Sequence, residues 1–71
     1  MNQAMKWWQF RIISHAGYLL MDSNDTPCWG DKTGEDVFIT TNPVWAMDRA
    51  KEIITMGFSC WIEPELGPLP W

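Results

Sequence analysis

The stretch Thr41–Gly57, TNPVWAMDRAKEIITMG, limits what this chain can fold into more than any other, because it predicts one amphipathic helix. Thr41 or Asn42 is placed to cap the N-terminus, where a short side-chain oxygen accepts from free backbone N–H groups. Pro43 suits the first helical position, since its fixed φ helps there and its missing N–H costs nothing. Gly57 is the expected stop, because a residue without Cβ most easily takes the left-handed conformation after a helix. Between these signals Ala46, Met47, Ala50, Ile53, Ile54 and Gly57 recur at i, i+3, i+4 spacing, which predicts the face turned to the core.

A chain of 71 residues makes one domain, near the size at which a single core barely outweighs chain entropy. Its six tryptophans and three phenylalanines can stabilise a thin core, since aromatics bury large areas at small entropic cost. Six exceeds what such a core needs, so some are expected on the surface.

Residues 6–13, KWWQFRII, alternate as a strand, with Trp8, Phe10 and Ile12 on one face and Trp7, Gln9, Arg11 and Ile13 on the other. Ser14-His15-Ala16-Gly17 reads as a hairpin turn, Gly17 supplying a positive φ. Tyr18–Asp22 returns as a second strand, with either Leu19 and Met21 or Tyr18 and Leu20 inward. Ser23–Glu35 is rich in loop residues, with Cys28-Trp29-Gly30 an apolar group among acids. Asp36–Thr40 is the expected third strand. Phe58–Glu63 is the fourth, with Phe58, Cys60 and Ile62 inward and Ser59, Trp61 and Glu63 outward.

Residues 64–71, PELGPLPW, predict an extended Pro-rich tail outside a domain of residues 1–63, because prolines lack the donors a central strand needs. The fold class expected is α+β, a small antiparallel sheet in the order β-β-β-α-β with the helix packed on one face. One helix covers one face. The other would show Trp7, Gln9, Arg11, Phe38, Ser59, Trp61 and Glu63, an aromatic patch suited to contact or to pairing with a second copy through Trp7, Arg11 and Trp61, unless the tail folds back over it.

No motif of catalysis emerges. His15, the one histidine, sits in the turn, and neither Cys28 nor Cys60 has an orienting group at recognisable spacing. One histidine and two isolated cysteines do not match zinc spacings. An EF-hand loop counted from Asp22 would place Pro27 where glycine is required and Thr33 where glutamate is required. Walker and GxGxxG loops are absent. The expectation is a non-enzyme with no metal and no cofactor. The opening MNQAMKWWQF has neither the charge nor the apolar run of a signal peptide or membrane span, so a cytoplasmic chain with two reduced thiols is expected, a Cys28–Cys60 bridge being the alternative.

All of the −4 net charge falls between Asp22 and Asp36, where five acids (Asp22, Asp25, Asp31, Glu35, Asp36) face one base, Lys32. A generic nucleic-acid binder shows the opposite sign, and single-strand binding by the aromatic sheet lacks its basic groove. An acidic segment with Trp29 at its centre suits a basic protein groove instead. The helix offers a second surface: Trp45, Arg49, Glu52 and Met56 form a stripe away from the core face, with Trp45 and Arg49 spaced for a cation–π pair.

In Phe38-Ile39-Thr40, Trp45-Ala46, Ala50, Gly57 and Cys60-Trp61-Ile62, about half the chain, the sequence resembles small acidic phage and prophage proteins of the anti-CRISPR or anti-defence kind. That resemblance implies a phage-encoded inhibitor that binds a host complex, such as a nuclease, helicase or CRISPR effector, and blocks it by occupancy in the host cytoplasm. A homo-oligomeric accessory protein is the other reading the residues allow.

Overall fold

The structure, a computed structural model, describes residues 6–21 and 26–68. Four strands and one helix follow in the order β1 (Lys6–Ser14), β2 (Gly17–Leu19), β3 (Trp29–Gly30), α1 (Pro43–Thr55) and β4 (Trp61–Pro68). The strands form one antiparallel sheet ordered β3-β2-β1-β4 with α1 on one face, a small α+β fold. No helix among the described residues is long and apolar enough to cross a membrane.

The helix obeys its local signals. Asn42 is the cap, its side-chain oxygen accepting from Val44 N at 2.9 Å, and Pro43 opens the first turn. Gly57 takes φ +101°, and its N–H closes the last turn onto Ile54 O. Only part of the expected core face is buried: Ala46, Ala50 and Ile53 are, whereas Met47 and Ile54 are half exposed. The physical reason is the narrowness of the sheet. Ile53 and Ala50 meet Ile12 and Leu19, with Trp29, Phe38, Cys60 and Ile62 closing the margins.

Two segments before the helix depart from expectation. The third strand is Trp29–Gly30, paired with β2 as Tyr18↔Gly30 and Leu19↔Trp29, within the expected loop. Residues 36–40 instead wedge between β1 and β2 where these diverge: Met21 N–H donates to Asp36 O, Phe38 N–H to Leu19 O, and Phe10 and Thr40 exchange bonds at 2.8 and 3.1 Å. Because directly opposed antiparallel residues share a face, the Phe10↔Thr40 bridge turns Phe38 toward the helix and leaves Val37 and Ile39 on the other side. Phe38 therefore belongs to the core margin, not to the uncovered face. Leu19, the last residue of β2, is fully buried on the helix side, while Met21, beyond the strand, is exposed.

The expected tail is extended, but residues 64–68 are sheet. β4 pairs with β1 along its whole length, from Ile13↔Trp61 to Lys6↔Pro68, and residues 69–71 lie outside the described residues. Two prolines are tolerated because β4 is an edge strand. Phe10 spends its own N–H and C=O on Thr40, so the Phe10↔Pro64 pair exchanges no bond and the proline nitrogen faces outward. Pro68, four residues on, shares that orientation. Gln9, 3% exposed, fastens the strand end by donating from Nε2 to Gly67 O and Pro68 O at 3.1 and 2.7 Å.

The hairpin joining β1 and β2 turns through His15-Ala16. Gly17 is obligatory there: φ is +128° and an added Cβ would lie 2.7 Å from Gly30 O. Ile53→Ala should cost about 2–5 kcal/mol in urea unfolding, as buried Ile-to-Ala changes do. Ile54→Ala, one position along and half exposed, should cost less than about 1 kcal/mol.

Candidate functional site

The face of the sheet away from α1 is polar at its centre. Arg11, from the middle of β1, is 7% exposed and donates from Nη1 to Glu65 Oε1 at 2.7 Å. Burial of a guanidinium requires a partner, and β4 supplies it one alternation from the directly opposed Glu63. Glu63 in turn accepts from the Tyr18 hydroxyl at 2.8 and 3.0 Å. Lys32 reaches across from the turn after β3, with Nζ 3.0 Å from Glu65 Oε2 and 3.8 Å from Glu63 Oε1. Two cations and two carboxylates thus tie β1, β4 and the turn after β3 together.

These contacts move the proton affinities. The hydrogen bond to Glu63, with some burial and that carboxylate's charge, raises the Tyr18 phenol. Lys32 is raised by its bond to Glu65 and the charge of that carboxylate. Glu65 is lowered by its bonds to Lys32 and then Arg11. Cys60, half-buried, has its thiol pushed up by burial, the wrong direction for a nucleophile. Both cysteines are free thiols. Among the described residues no group of three or more His, Cys, Asp or Glu is disposed to hold a metal ion.

Residues 31–35 form a strap over this face. Gly30 anchors one end in the sheet, Asp36 the other through Met21 N–H, and Gly34 N–H closes a turn onto Asp31 O at 3.0 Å. Between strap and sheet lies an open groove of ≈ 690 Å³ bordered by Arg11, Met21, Lys32, Glu35, Val37 and Ile39.

Against this geometry the expected contact residues divide. Trp29 is half-buried and packs against the margin of the core, β2 pairing turning its ring to the helix side. Asp31, Glu35 and Asp36 are exposed around the strap, while Asp25 lies outside the described residues. The helix stripe is assembled as its spacing predicts, with Trp45 65% and Met56 43% exposed and Arg49 Nη1 bonded to Glu52 Oε2 at 3.2 Å between them.

The aromatic oligomer face is not assembled. Trp7 and Trp61 are exposed on one side of the sheet, but six strand positions, roughly 20 Å, separate Trp7 from the Ile13↔Trp61 pair. Buried Arg11 and Gln9 fill the interval, and Trp61 meets the His15 ring edge-on at 5.4 Å. Sequence reasoning also missed Glu63 and Glu65 as partners of Arg11. The signal was their alternate spacing on one strand face, hidden by treating the chain as tail after Glu63.

Comparison with family models, with curated proteins and with solved structures finds no match.

Two outcomes follow from this geometry. Trp29→Ala should lower unfolding free energy by about 2–4 kcal/mol, read from chemical denaturation, because a ring packed on the core is lost. Glu65 is stabilised as a carboxylate only when folded, so the stability it contributes is complete above the ordinary carboxylate range and is lost as pH falls through its lowered folded value. Melting temperature followed from pH 7 downward should therefore drop in that acid window, and Glu65→Gln should flatten the drop.

Proposed function

We propose that this chain is a small non-catalytic protein-binding inhibitor, phage-encoded, that blocks a host defence or nucleic-acid-processing complex of the CRISPR-effector, nuclease or helicase kind by occupying its surface in the host cytoplasm. The observation that carries the reading is the outer stripe of α1. Trp45 and Met56 stand exposed on a rigid, well-capped helix, flanking the Arg49–Glu52 ion pair. Tryptophan and arginine supply large contact area and directional donors at low entropic cost, which is why they dominate binding energy at interfaces. A helix presented this way fits a groove on a larger partner. The exposed carboxylates Asp31, Glu35 and Asp36 add a negative surface that steers the chain toward basic partners.

The test is capture from bacterial lysate with tagged full-length protein. The wild type should retain one stoichiometric nuclease, helicase or CRISPR component. Trp45→Ala should reduce its recovery tenfold or more, the effect of losing a hot-spot side chain worth about 2 kcal/mol, with an unchanged circular dichroism spectrum. Equal recovery by Trp45→Ala and Met56→Ala would overturn the helix stripe as the contact. An eluate holding bait alone would overturn the inhibitor reading, and sedimentation would then test for self-association.

A further inference from the structure

The groove beneath the strap is a second contact place, separate from the helix stripe. Its floor is apolar: Val37 and Ile39 face it, and Met21, 65% exposed, stands at its mouth. Of the charged groups that border it, Arg11 and Lys32 are cations and Glu35 a carboxylate; behind the two cations stand Glu63 and Glu65 on β4, and Asp31 and Asp36 are exposed at either end of the strap, so the surroundings hold five carboxylates against two cations.

Two observations say what would sit there. Lys32, which borders the groove, already shows how the two β4 carboxylates receive a cation on a flexible stem: its ammonium is held by Glu65 at 3.0 Å and lies 3.8 Å from Glu63, with both ends of the pair partly open to water. It is also the one side chain of the strap with an ion pair or hydrogen bond among the described residues, the strap's other ties being backbone bonds from Gly34 N–H to Asp31 O and from Val37 N–H to Gly34 O. The second observation is Arg11. Its Nε–H is buried and has no acceptor, although the side chain borders the groove. An unpaired buried donor favours any occupant that brings a carbonyl oxygen to it, and the surrounding carboxylates repel an anion.

We propose that the groove seats a short basic and apolar segment of a partner protein. An aliphatic side chain rests on Val37 and Ile39, a backbone carbonyl accepts from Arg11 Nε–H, and a lysine or arginine replaces Lys32 between Glu63 and Glu65. This rests on the chain being a protein-binding module, and it adds the chemistry of the segment recognised.

The experiment is a nuclear magnetic resonance titration of the isotope-labelled full-length chain. The probe is an acetylated, amidated nonapeptide with leucine-arginine-leucine at its centre and glycine-serine flanks; the control carries glutamate in place of arginine. The expected result is saturable shifts at the Met21, Val37 and Ile39 methyls and at the Arg11 Nε–H, with the control at least tenfold weaker. Lys32→Met should bind the basic probe severalfold more tightly, because the internal competitor is gone. Overturning results are no saturable shift, equal binding of the glutamate control, weaker binding by a Lys32→Met variant with a native methyl spectrum, or shifts centred on Trp45 and Met56. Because the titration contains no cellular partner, its failure leaves the lysate capture by the helix stripe standing, and failed capture leaves the titration interpretable.

Discussion

A buried guanidinium needs a carboxylate, and the open face of this sheet is arranged around the one that Arg11 finds. Arg11 lies in the middle of β1, the strand that pairs with β2 and β4 and also packs against α1. Removing its partner would leave an uncompensated charge in a site shielded from water, far costlier than losing an exposed ion pair. Glu65 therefore holds β4 to β1 in a single register, since a slip of one position would turn it to the other face. The same carboxylate engages Lys32 and draws the strap down. Hydrophobic contact organises one side of the sheet, charge pairing the other.

The two sides divide the work of the molecule. On the helix side the core is small, with Ile12, Leu19 and Ile53 its largest fully buried members. So thin a core leaves apolar rows of α1 on both flanks of the buried stripe, and a surplus of exposed Trp, Met and Ile is the direct result. On the other side, the polar centre separates Trp7 from Trp61 and prevents a continuous aromatic surface. Exposed apolar side chains thus line α1 and its cap (Val44, Trp45, Met47, Ile54, Met56) and recur singly along the strands (Trp7, Trp8, Trp61, Leu66), while the strap carries exposed acids.

How much of this the sequence disclosed depended on the range of each interaction. The helix was legible almost to the residue, because Asn42, Pro43 and Gly57 act on backbone groups within one turn. The Trp45–Arg49–Glu52–Met56 stripe was legible for the same reason, being a matter of helical period. Trp29–Gly30 was hidden because a strand of two residues carries no alternation, and its surroundings have turn chemistry. Phe38 was placed on the wrong face because its orientation follows from the Phe10↔Thr40 bridge, which joins residues 30 apart in sequence. Pro64 and Pro68 read as tail because proline excludes a central strand, and nothing local says that β4 is an edge. Burial of Arg11 likewise waits on that strand.

The long β1–β4 ladder has a consequence for the order in which the chain acquires its shape. It joins residues 6–13 to residues 61–68, so the most extensive pairing in the fold closes a loop of about fifty residues. The His15-Ala16 hairpin and α1 are local and able to form early, on microsecond scales. The β1 edge must then wait for the last described strand, a topology of high contact order that slows folding relative to a helical chain of equal size. During synthesis β1 would leave the ribosome with its tryptophans and Arg11 unpartnered until β4 follows, so a chain stopped after α1 would expose an open strand edge beside an unpaired buried-type charge and become a substrate for chaperones or proteases.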